Sequence, residues 1–268
     1  MSGLAVDIRR RRDQPGYLIA ALLFVGQTWQ LAFEALRYIL RGRVSLAETV
    51  RHMALIGVDS LPIIIATSVS TGAVLAFYTS GVFVRFGAAM FVGGTITLSF
   101  LLELGPVLAG VMVAARSGAA IAAEIGTMVV TEQVDALRSL AVSPVRYLVA
   151  PRLLACVLMM PVCGLVSDFA GVLGSIVMAA AHGVPTATFI ESVRTMATET
   201  DLLKGLLKTL WFGFTIACVA SRQGLTTERG AAGVGRATTS SVVLCVVLIF
   251  ISDFFLAQIL MGASVASK

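Results

Sequence analysis

Five apolar stretches, each long enough to cross a bilayer, limit what this chain can fold into. They run from Leu61 to Phe83, Gly94 to Ala115, Leu148 to Ala181, Leu203 to Ala220 and Thr239 to Leu260. A crossing of the hydrocarbon core needs about 20 predominantly apolar residues. No water-facing globule could cover so much apolar surface here. Only 13% of the 268 residues are charged, against roughly 25% in a soluble domain. The solvent of this chain is lipid.

The net charge of +5 does not make it a nucleic-acid binder. Its basic residues are scattered to the ends of the apolar stretches rather than gathered on one patch. Their distribution sets an orientation. The segment from Arg116 to Arg152 holds four arginines and that from Arg222 to Arg236 holds three. Between His182 and Lys204 the acidic Glu191, Glu199 and Asp201 outnumber Arg194. The two arginine-rich segments and the N-terminus are therefore expected in the cytoplasm and the C-terminus outside, which five crossings satisfy. Arg9 to Arg12 before an apolar run superficially resemble a signal peptide. The run from Tyr17 meets no small-residue cleavage site and is interrupted by Gln27, Gln30 and Glu34, so it is read as retained.

Gln27, Gln30, Glu34, Arg37 and Arg41 recur at three- and four-residue intervals and form one polar stripe on a helix. Such a helix is better placed in the membrane interface than across it, a spanning helix being the alternative. Ser45, Glu48, His52 and Asp59 form a shorter stripe leading into Pro62. The expected architecture is an all-α integral membrane protein of about five transmembrane helices. Residues 1–60 are expected to form a cytoplasmic arm with interfacial elbow helices, and residues 61–268 one membrane domain. Within the first span, Thr67, Ser68, Ser70, Thr71 and Gly72 make a polar, flexible run, which predicts a broken or re-entrant segment.

Cys156, Cys163, Cys218 and Cys245 all fall in apolar stretches without CxxC pairing or a histidine at ligand spacing, and are read as small core residues. Gly110, Ala114, Gly118 and Ala122 recur every four residues, a small-residue face for close helix packing. Intramembrane charges cost at least about 2.5 kcal/mol each when unpaired at the bilayer centre. Glu103, Lys208 and Asp253 are the clearest examples. Glu103 and Lys208 could form a polar pair that contacts a lipid headgroup or gates a pocket, or a structural ion pair between spans. Asp253 is read first as structural.

The connection between spans two and three reads Glu124-Ile-Gly-Thr-Met-Val-Val-Thr-Glu-Gln-Val-Asp-Ala-Leu-Arg138. Val130, Val134, Leu137 and Ala141 share one helical face, and Glu132, Asp135 and Ser139 another. This amphipathic helix either lies on the membrane or docks into an ATPase, with its carboxylates meeting basic groups of the partner.

Taken together, Glu103-Leu-Gly-Pro106, Ala115-Arg-Ser-Gly118, Glu124-Ile-Gly126, Thr131-Glu-Gln-Val-Asp-Ala-Leu137, Pro151-Arg152 and Gly233-Val-Gly-Arg-Ala-Thr-Thr239 resemble the MlaE (YrbE) family of permeases, the membrane subunits of MCE-type lipid transporters. The likeness runs from about Val50 to the last span. It implies a multi-pass protein of the bacterial inner membrane, working as a homodimer that carries two copies of a cytoplasmic ABC ATPase. It also implies an MCE-domain ring on the outer face and, in many relatives, a STAS-domain protein bound to the ATPase. By the same resemblance Glu124, Glu132, Asp135 and Arg138 belong to the ATPase-coupling segment. A lipid pocket with Glu103, Lys208 and Asp253 as candidates would lie between protomers. No cofactor or metal is implied. The chain has no GxxxxGK[ST] motif, so its motor must be a separate protein.

Two other readings are weaker. One is an ABC permease for a different cargo. The other is an intramembrane enzyme built on Ser117, which requires a base within reach. The histidines, His52 and His182, lie before the first span and at the far end of the third.

Overall fold

The computed structural model describes residues 17–228 and 230–266, so Arg9 to Arg12 fall outside it. Five helical segments within the described residues are long and apolar enough to cross a membrane. They are Leu46–Arg85, Ala89–Val130, Val145–Ala181, Glu199–Leu225 and Ala231–Leu260, here spans 1 to 5. Each of the five apolar stretches read from the sequence lies inside one of them. Helix α1 (Tyr17–Leu40) is not among the five. Span 1 joins the elbow helix α2 (Leu46–Ile56) to α3 (Leu61–Arg85). Span 2 contains α4 (Val92–Ser99), α5 (Gly105–Val113) and α6 (Ala119–Val130). The short α7 (Gln133–Ser139) follows, then α8 (Ala150–Ala181) in span 3. The amphipathic α9 (Thr186–Met196) connects spans 3 and 4. Helices α10 (Glu199–Leu225) and α11 (Ala231–Ala266) carry spans 4 and 5.

Local chemistry explains several boundaries. Ser45 accepts a hydrogen bond from the Glu48 amide and starts α2. Thr198 and Asp201 form a reciprocal capping box that starts α10. Span 3 packs along span 1 because glycines let the backbones meet. A Cβ at Gly72 would strike the carbonyl of Gly171, and one at Gly174 would strike that of Val69. Ser68 and Ser167 share a hydrogen bond of 2.8 Å, and Ser175 Oγ donates to the Gly72 carbonyl at 3.0 Å.

Those contacts correct the expectation for the polar run in span 1. Helix α3 is continuous from Leu61 to Arg85. Its hydroxyls are absorbed without breaking it: Thr67 donates to the Ile63 carbonyl and Ser70 to that of Ala66, each at 2.8 Å. Ser68 and Gly72 are buried against span 3.

The irregular backbone is in span 2 and at the start of span 3, where Val145–Val149 is a π-helical turn. Phe100–Leu104 and Ala114–Gly118 are single π-helical turns. Between and beyond them runs the small-residue face. Gly110 lies against Phe212 and Ile249, and Gly118 against Ile216, so span 2 approaches spans 4 and 5 closely. The main core forms there, around Val113, Cys156, Met160, Phe212, Ile216 and Ile249.

Helix α1 packs on the bundle through Phe24, Leu31, Ala32, Ala35 and Ile39, and two residues of its polar stripe bond to the rest of the chain. Gln27 accepts a hydrogen bond from Arg222, and Glu34 accepts one from Ser143. Its outward positions, including Leu22, Phe33 and Leu40, are exposed and apolar. Arg146 donates to the Arg43 carbonyl at 2.9 Å. The N-terminal helix and both arginine-rich connections therefore meet at one end of the bundle.

Candidate functional site

The intramembrane charges converge. Lys208 Nζ in span 4 lies 2.7 Å from Glu103 Oε1 in span 2 and 3.0 Å from Asp253 Oδ1 in span 5. The lysine side chain is 3% exposed, whereas that of Glu103 is 43% exposed. One ammonium thus sits inside the protein with two carboxylates, one of them reaching the surface. Asp253, read from the sequence mainly as structural, belongs to the same cluster as the other two. Counted along their helices, all three lie nearer the end of the bundle opposite the arginine-rich connections.

The backbone of span 2 builds this cluster. Pro106 has no N–H, so the carbonyl four residues earlier, that of Leu102, loses its helical donor. The π turn Phe100–Leu104 forms just ahead of the proline, with the Gly105 amide donating to the Phe100 carbonyl. Lys208 Nζ takes up the freed Leu102 carbonyl at 2.9 Å. Span 4 can come this close because residue 205 is glycine: a Cβ there would collide with the Leu101 carbonyl oxygen. The Gly105-Pro106 pair, Gly205 and Lys208 are one device, which opens a helix and fills the opening with a cation.

A third intramembrane carboxyl, Asp168, was not singled out from the sequence. It is buried in span 3, and its Oδ1 has no hydrogen-bond partner among the described residues. It presses on the Cα of Gly105, where a Cβ would collide with Oδ1. The available signal was an acidic residue in the middle of the stretch from Leu148 to Ala181.

At the opposite end, the residues expected to couple to an ATPase divide into two groups. Glu124, in α6, pairs with Arg152 at 2.8 Å, and the arginine side chain is only 3% exposed. This pair ties span 2 to span 3. Glu132, Asp135 and Arg138 instead belong to the exposed turn and helix that follow. Asp135 and Arg138 form an exposed ion pair of 2.9 Å. Helix α7 is held between two left-handed residues, Glu132 (φ 60) and Ala141 (φ 57). Buried Val134 fixes it to the bundle.

The serine of the enzyme reading is engaged elsewhere. Ser117 Oγ is buried 3.1 Å from Ser60 Oγ. His182 is bonded to the Met178 carbonyl at the far end of span 3.

Comparison with known proteins agrees with this architecture. The family model "Permease MlaE" matches residues 49–259. A probable ABC transporter permease protein of Synechocystis sp. is 39% identical over 244 residues, covering 91% of this chain and 90% of that protein. One from Rickettsia felis is 40% identical over 243 residues, covering 88% and 91% respectively. The chloroplastic Arabidopsis thaliana protein TRIGALACTOSYLDIACYLGLYCEROL 1 is 35% identical over 229 residues, covering 85% of this chain and 65% of its own.

Proposed function

The chain belongs to the MlaE permease family of ABC transporters, and from that premise we propose that it moves phospholipids or related lipids between the inner membrane and an MCE-protein conduit toward the outer membrane. The observation that carries this reading is the Glu103–Lys208–Asp253 cluster. A cation held within the membrane by two carboxylates, one of them surface-reaching, can exchange Glu103 for the phosphate of a lipid headgroup. Opening and closing of the Glu103 contact gates that exchange. The glycolipid in the name of the Arabidopsis relative supports a lipid cargo.

In this reading two copies of the chain form the transmembrane unit in the inner membrane, with N-termini in the cytoplasm. A separate cytoplasmic ATPase docks on the exposed surface of α7, where Glu132, Asp135 and Arg138 present charge. Glu124 acts behind that surface by passing motion of α7 through Arg152 to span 3. An MCE-domain ring caps the outer face, and a STAS-domain protein binds the ATPase.

The test is purification of the tagged chain from its own membrane, followed by reconstitution and transfer of a labelled phospholipid. We expect an ATPase and an MCE-domain protein to co-purify, and ATP to drive lipid transfer. Glu103→Gln should slow transfer at least tenfold while leaving the complex assembled. Asp135→Arg should release the ATPase. Recovery of an ATPase without an MCE protein, and no lipid transfer, would assign the chain to another cargo.

A further inference from the structure

A second amphiphile-shaped feature lies away from the charge cluster. A cavity of about 490 Å³ opens between α1 and spans 4 and 5. Its walls include Phe24 and Trp29 of α1, Trp211 and Phe214 of span 4, and Leu248 and Phe255 of span 5. Asp253, Lys208 and Glu103 are not among its lining residues. One cation stands at its α1 end. Arg222 lies one turn beyond the lining residue Cys218 on the same face of span 4, and its guanidinium stacks on the Phe24 ring, 4.3 Å from the centroid. Nη2 donates to Gln27 at 2.8 Å. Nε is buried without a partner, and no carboxylate among the described residues pairs with this arginine.

We propose that this groove holds one acyl chain of an anionic phospholipid from the leaflet adjoining α1, with its phosphate on Arg222. Charge selects that occupant. On span 4 the wall runs from near Arg222 to Trp211, and on span 5 it continues past Asp253 to Ile259. Arg222 stands three residues before the end of α10, where a headgroup would lie. The phosphate supplies the anion that the guanidinium lacks among the described residues, and cation and tail are satisfied by a single molecule. The bound lipid fills the space between α1 and span 5, so it acts as a structural ligand that seats the N-terminal helix. This inference is independent of the transport reading, because its test reads bound lipid and not transfer.

The complex as isolated from its membrane is placed in nanodiscs of phosphatidylcholine containing phosphatidylglycerol, and retained lipid is counted by native mass spectrometry. A benzophenone photocrosslinker at Leu248 identifies what occupies the groove. We expect a phosphatidylglycerol-mass adduct at Leu248. Arg222→Gln should reduce that adduct about tenfold, the scale of one charge-assisted hydrogen bond. Thr215→Trp, which fills the slot while keeping the arginine, should abolish it. An adduct of protein mass, from a second copy or a partner's membrane helix, would overturn the proposal. So would a lipid adduct unchanged in both variants, or no adduct at all.

Discussion

At the scale of single residues, the charges inside the membrane work in sets. Lys208 pairs with two carboxylates and replaces the N–H that Pro106 lacks. Lys208→Met removes all three contacts at once and leaves Glu103 and Asp253 facing each other. Breaking a buried pair from one side costs about 3–5 kcal/mol, and the lower end applies here because Glu103 reaches the surface. The expected outcome is a fall in thermal stability in detergent together with loss of transport. Adding Glu103→Gln and Asp253→Asn to Lys208→Met should restore most of the stability but no transport. Recovery of both would make the cluster dispensable. Gly105 and Asp168 give a second test. Gly105→Ala pushes a methyl into a buried carboxyl and should lower stability by about 1–3 kcal/mol, the usual cost of overpacking. Asp168→Ala should relieve most of that loss, and thermal unfolding of the single and double variants measures the coupling. Glu103 and Lys208 were legible as a pair because charge in an apolar stretch is conspicuous and both fell near one depth. Asp168 was equally conspicuous as a charge in a span. Its contact with Gly105 was not, since nothing in the spacing brings residues 105 and 168 together.

At the scale of elements, length and hydropathy revealed the five spans, because burial in lipid leaves little freedom to a run of 20 apolar residues. The backbone within the spans was less legible. The Ser/Thr-rich run of span 1 stays helical because Thr67, Ser68 and Ser70 each have a carbonyl or a facing serine to bond. Span 2 looks smoother in sequence, yet it carries the π turns ahead of Pro106 and around Ser117. Polarity of side chains was a poor guide to breaks, and a missing N–H beside close-packed glycines was a better one. The pairing of Glu124 with Arg152 was hidden for a similar reason, since the residues come from different spans. Helix α7 was visible as an amphipathic segment, but its left-handed boundaries were not. Ala141 holds φ 57, a conformation that costs an L-residue roughly 1–2 kcal/mol and glycine almost nothing. Ala141→Gly should therefore leave stability unchanged or raise it by about 0.5–1 kcal/mol, after the extra chain entropy of glycine is subtracted. A drop of more than about 1 kcal/mol in unfolding experiments would mean that the Ala141 methyl is worth more than its strained backbone.

At the scale of the whole molecule, the two ends of the bundle differ in charge, and that difference should set its direction in the membrane. One end collects α1, α7 and the arginine-rich connections, tied by Arg222–Gln27, Ser143–Glu34 and Arg146–Arg43 contacts. The other carries α9, whose Glu191 and Arg194 are both exposed, and the acidic start of α10. Cytoplasmic loops retain lysine and arginine, so the arginine-rich end is expected inside. The chain suits a direct test, because Cys156, Cys163, Cys218 and Cys245 are all buried and give little background to a thiol reagent. Glu191→Cys should react with a membrane-impermeant maleimide in intact spheroplasts. Ser139→Cys, on α7, should react only after the membrane is opened. The reverse pattern would put α7 outside, away from any cytoplasmic ATPase, and the transport reading would fall with it. Labelling of both positions from one side would mean an even number of crossings between α7 and α9, whereas span 3 alone separates them. The orientation therefore decides more than topology: the proposed transport requires the ATPase-docking surface and the surface-reaching Glu103 to lie toward opposite faces, so that energy spent on one side moves a lipid on the other.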